Sequence, residues 1–137
     1  MSRPLLLDTC ALIWMLNGDE LRGEAEAALQ SAAEVQGQVL VSPISAWEVG
    51  QLVSKGRLRL PAEPLSWFQE AIDGGLGLAT MPASVLVAAS FLPGGRLRDP
   101  ADRIIAATAR AFGYRLMTRD RPLLDFAADG HAQAIAC

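Results

Sequence analysis

Apolar residues along this chain alternate between two rhythms. Short unbroken runs, PLLLDT at residues 4–9, QVLVS at 38–42, LGLATM at 76–81 and YRLMT at 114–118, have the form of parallel strands buried on both faces. Between them the apolar positions recur every three or four residues. Ala11 to Leu16 is one such stretch, and Leu21 to Glu34 is another, with Leu21, Ala25, Ala28, Leu29 and Ala32 on one side, glutamates on the other and Gly37 beyond its end. Ser42 and Pro43 open a helix running to about Lys55, a capping hydroxyl followed by a proline whose missing N–H costs nothing at that position. Leu65 to Asp73, ASVLVAAS after Pro82, and Ala101 to Phe112 are further helices, and the tail AQAIAC at 132–137 reads as a fifth strand. Strands separated by helices predict an α/β fold: a three-layer α/β/α sandwich around a parallel sheet of four or five strands with right-handed crossovers. One domain over residues 1–137 is expected from the length.

That layout gives meaning to four acids. In open parallel sheets ligands bind beyond the carboxyl ends of the strands, and Asp8 and Asp120 each follow a strand. Asp102 lies in the first turn of a helix, on the face that carries Ile105, Ala106, Ala109 and Gly113, so it points toward the sheet. Glu48 interrupts an otherwise apolar helix beside Ile44 and Leu52. Simpler roles compete for three of them. Asp99-Pro100-Ala101-Asp102 has the form of a helix cap, Glu48 fits a solvated helical position, and Asp120 with Pro122 close behind fits a turn. For Asp8 neither turn chemistry nor capping offers an account. Carboxylates that face one another without a counter-ion destabilise a fold, so a cation is expected between them. Oxygen-only ligands select a hard ion, Mg2+ with Mn2+ able to substitute.

Composition narrows the field. With 51% hydrophobic and 20% charged residues the chain is too apolar for disorder, and a net charge of −3 argues against non-specific coating of nucleic acid. Basic residues are nevertheless concentrated locally: seven arginines and three acids fall between Phe91 and Arg121. Of these, Arg96, Arg98, Arg103 and Arg119 are candidates to hold a nucleic-acid backbone beside the acids, the alternative being a solvated surface. Cys10 and Cys137 form neither a disulfide framework nor a zinc pattern, and a reducing cytoplasm is expected. Asp8 breaks the opening apolar stretch, which argues against a signal peptide, and no segment reaches the length of a membrane span. A Cys10–His131 nucleophile pair is disfavoured because the one histidine lies in a polar loop, and GxGxxG, Walker A and GxSxG motifs are absent. Trp14, Trp47 and Trp67 occupy apolar helix positions and are expected in the core or at an interface.

The motifs LLLDTCALIW, SPISAWEVGQL, RDPADRIIAATA and LMTRD, in this order and spacing, resemble the PIN-domain ribonucleases, and most of all the VapC-type toxins of toxin–antitoxin pairs. The resemblance implies a PIN-like fold and an endoribonuclease dependent on Mg2+ or Mn2+ that hydrolyses RNA with a metal-activated water, leaving a 5′-phosphate and a 3′-hydroxyl. It also implies inhibition by a cognate, VapB-like antitoxin, for which apolar faces around Trp14, Trp47 and Trp67 are candidate contacts, and homodimerisation. Asp8, Glu48, Asp102 and Asp120 match the family's acids, with Thr9 and Thr118 supporting them. Asp99, one turn before Asp102, is expected to share or compete for the metal, and Glu48 or Asp120 to orient the water. Cys10 stands where many members have serine or asparagine. Two rivals remain: a catalytically inactive PIN-like module that binds RNA or protein, and a haloacid-dehalogenase-like phosphatase. The latter requires a second aspartate at the position of Cys10.

Overall fold

The computed structural model describes residues 3–21, 23–35 and 37–137. Its strands are β1 (Leu5–Leu7), β2 (Val39–Val41), β3 (Gly77–Leu78), β4 (Arg115–Thr118) and β5 (Gln133–Ala136). Among the described residues, seven helices connect and cover them: α1 (Thr9–Leu16), α2 (Gly23–Ala33), α3 (Pro43–Ser54), α4 (Pro64–Asp73), α5 (Ala83–Ala88), α6 (Pro100–Phe112) and α7 (Arg121–Ala128), with a 3-10 turn over Ala89–Phe91 after α5. All four strand pairings are parallel, in the order β3-β2-β1-β4-β5.

Side chains alternate across a strand, so each apolar run feeds both faces of the sheet. Leu5 and Leu7 join Val39, Val41, Met117 and Ile135 in a core built with α1 to α4. Leu6, Leu40 and Leu116 point the other way, onto Ile105, Ala106 and Ala109 of α6 and Leu123 and Phe126 of α7. The small α6 residues allow that helix to pack closely. Central β1 lies between β2 and β4, and all three of its leucines are fully buried.

Several expectations are corrected. The first helix begins at Thr9 rather than Ala11, because the Asp8 side chain accepts the Ala11 N–H and caps it. The helix expected from Leu21 runs over Gly23–Ala33, with Arg22 outside the described residues. The strand expected over 76–81 shrinks to two residues at the sheet edge, where a side chain on Gly77 would meet Leu40 Cδ2 at 2.5 Å. Helix α7 was not anticipated. Pro122 reads as a turn signal, yet in the first turn of a helix it is tolerated, and Leu123 and Phe126, three apart, give the helix its buried side. Of the tryptophans, Trp67 is 6% exposed and belongs to the core, Trp14 is half-buried, and Trp47 is 56% exposed. Burial therefore removes Trp67 from any exposed apolar face for a partner.

Candidate metal centre

The sheet's carboxyl end gathers the acids. Asp8, 2% exposed, is held from two directions: its Oδ1 accepts the Ala11 N–H at 2.7 Å and its Oδ2 accepts the Thr118 hydroxyl at 2.5 Å. Thr118 ends β4, the neighbour of β1, and its oxygen also accepts the Asp120 N–H at 2.9 Å. One hydroxyl thus ties the two strand-end acids together. Desolvation raises the Asp8 pKa, and the bonds from Thr118 and Ala11 counter it.

Glu48 reaches the same region from α3. Its Oε1 accepts a hydrogen bond from the Thr9 hydroxyl, whose oxygen lies 2.9 Å from Ser45 Oγ. Burial raises the Glu48 pKa first, the bond from Thr9 lowers it, and Asp99, Asp8 and Asp120 add repulsion.

Helix α6 supplies the other side. Asp99 caps it by accepting the Asp102 N–H at 3.0 Å, as its sequence pattern predicts. The Asp102 carboxyl is pushed up to about 8 by desolvation and then by Asp99, Asp120, Glu48 and Asp8, with no hydrogen bond opposing them. Asp120 precedes α7 without capping it, and its Oδ2 is buried with no partner. The Cys10 thiol opens to solvent yet is crowded enough for desolvation to raise it to about 12, with Asp8, Glu48, Asp102 and Asp120 adding their charge.

Two of the four candidate RNA-binding arginines are engaged within the fold. Arg103 donates from Nε to the Ala89 carbonyl at 2.8 Å and from Nη1 to the Leu97 carbonyl at 2.5 Å, fastening the loop before α6. Arg119 lies over the Trp14 ring at 3.8 Å and donates to the carbonyls of Cys137 and Glu20 at 2.9 and 3.4 Å. Arg96 and Arg98 are exposed on the loop, Arg96 at 3.9 Å from Asp129. Sequence reasoning missed Ser45, whose signal was its place one helical turn before Glu48 on a helix with few polar residues.

Among the described residues, no three acids, cysteines or histidines already form a tight cluster of metal-ligand geometry. Even so, the donor chemistry suits a hard divalent cation. The acids offer oxygen donors, they repel one another, and Asp120 Oδ2 is a buried acceptor without a proton donor.

The PIN domain family matches residues 5–128, and the chain belongs to it. Within that family the protein is a VapC homologue. It is 35% identical to ribonuclease VapC22 of Mycobacterium tuberculosis over 123 residues, which cover 90% of this chain and 91% of that protein. Two solved structures share its fold: VapBC2 from Rickettsia felis bound to a promoter DNA fragment, with a TM-score of 0.70 and 18% identity over 96% of this chain and 97% of that one, and DNA-bound VapBC from Salmonella typhimurium, with 0.66 and 16% over 98% of each.

Proposed function

We propose that this protein is a Mg2+-dependent endoribonuclease, with Mn2+ able to substitute, and the toxin of a toxin–antitoxin pair. The observation that carries the reading is the group of mutually repelling carboxylates at the sheet's carboxyl end, with Asp102 pushed up to about 8 and Asp120 Oδ2 buried unpaired. The likeness to a ribonuclease supports RNA as substrate. Structural neighbours solved as VapBC assemblies and as a toxin–antitoxin complex from Klebsiella pneumoniae support an inhibitory partner chain.

Asp8, Asp102 and Asp120 hold the cation in this reading, with Asp99 beside them. When bound, the metal supplies positive charge that polarises the scissile phosphate and makes water a stronger nucleophile near neutral pH. Thr118 fixes the spacing of Asp8 and Asp120. Glu48, oriented by Thr9, accepts the proton that the attacking water gives up. Arg96 and Arg98 bind phosphates flanking the cleaved bond.

The test is cleavage of cellular RNA by the purified protein and its Asp8→Asn variant, with and without EDTA, followed by sequencing of new 5′ ends. Discrete 5′-phosphorylated ends that require both Asp8 and divalent metal are expected. Equal cleavage by the variant would sink the reading.

A further inference from the structure

Ser45 is 0% exposed on α3, one turn before Glu48. A serine inside a helix ordinarily bonds its own backbone or faces water. This one instead reaches across to Thr9, 36 residues away in sequence, at 2.9 Å between hydroxyl oxygens. Thr9 is itself buried, at the first position of α1, and its oxygen also contacts Glu48 Oε1. Each hydroxyl has one proton, and an ionised glutamate only accepts. The Thr9 proton therefore goes to Glu48, which leaves Ser45 as the donor to Thr9. The bonding order has one direction: Ser45 to Thr9 to Glu48.

We propose that Ser45 is a positioning residue that acts through Thr9 to hold Glu48 in its working orientation. This rests on the ribonuclease reading above. Without the relay, the glutamate on α3 keeps its place on the helix but loses the anchor that selects one orientation of a long side chain. Ser45 also polarises the Thr9 hydroxyl, strengthening the bond it donates. Because Thr9 adjoins Asp8, the relay sets Glu48 relative to the strand-end acids, linking α1 to α3.

The experiment measures kcat and KM on a defined RNA oligonucleotide with Mg2+, together with melting curves. Ser45→Ala should lower kcat roughly three- to tenfold and Thr9→Val roughly ten- to a hundredfold, with KM close to wild type and a melting midpoint lowered by a few degrees but still well above the assay temperature. Thr9→Ser and Ser45→Thr, which keep the hydroxyls, should restore most of kcat, and Ser45→Ala should add nothing in a Thr9→Val background. An unchanged kcat in Ser45→Ala, a kcat loss that the hydroxyl-keeping variants fail to restore, or additive effects in the double variant would overturn the relay. A wild type that shows no metal-dependent cleavage would remove the ribonuclease reading and the relay together, whereas an active wild type beside an unaffected Ser45→Ala removes the relay alone.

Discussion

The two sides of the acidic site are built differently. On the β1–α3 side Asp8 and Glu48 are held by Ala11, Thr118 and Thr9, so their positions are set by the protein alone. On the α6–β4 side Asp102 has no hydrogen bond to offset its neighbours' charge, and Asp120 keeps a buried oxygen without a donor. The first side is completed by hydroxyls and backbone N–H groups. The second is left with acceptors that no donor of the protein meets. Under the function proposed above, the rigid pair would give a cation a fixed seat and the pair short of donors would give it a reason to bind.

Substitutions at Asp8 test the rigid side most severely. Asp8→Asn should lower cleavage on the order of a hundredfold or more, since the charge is lost. Asparagine still caps α1, so its melting midpoint should stay near wild type, whereas Asp8→Ala should cost roughly a further 1 kcal/mol of stability through loss of the cap. Equal melting midpoints for the two variants would mean that the Ala11 bond contributes nothing.

Adding Mg2+ tests the other side. At a hundred times its Kd the ion should stabilise the protein by about 2.7 kcal/mol, read as a rise in melting temperature. The rise should shrink in Asp120→Asn, and no rise in wild type would count against a cation site.

The metal-free protein should also show a pH dependence. With its carboxyl pushed up to about 8, folded Asp102 holds a proton that a freely solvated aspartate gives up near 3.8. The folded state therefore binds the extra proton between those values, and the stability this gives is full below pH 3.8 and lost as pH rises through about 8. Urea midpoints without metal should fall from pH 5 to pH 8.5, and Asp102→Asn should flatten the fall. Mg2+ should bind more tightly across the same range as the proton leaves. The smallest effect belongs to the rim: Arg96→Ala with Arg98→Ala should weaken RNA binding and reduce its salt slope by about 0.7 for each lost phosphate contact. An intact slope would assign both arginines to solvent.

The sequence carries most of this architecture because buried parallel strands leave apolar runs and the helices between them leave a clear period. It carries less where one residue does two jobs. Asp8 has no visible capping role in the sequence because the helix start itself is ambiguous there, and only the structure brings the Ala11 N–H to its carboxylate. Arg103 and Arg119 look like free surface cations until their carbonyl partners are known, Ala89 and Leu97 in the segment leading to α6 for the first and Cys137 and Glu20 for the second. Helix α7 is short, and Pro122 masks its start. Ser45 is inconspicuous because its partner lies on another helix.

The bond from Thr118 to Asp8 spans 110 residues of sequence. Closing so long a loop costs chain entropy before any of the site's interactions reward it, which places this fold among the slower ones for its size. During synthesis Thr118 follows Asp8 by 110 residues, so the acid group cannot assemble until that whole stretch of chain has been made. Under the function proposed above, a half-made copy would lack the means to cleave, because the acid group forms only when β4 docks beside β1.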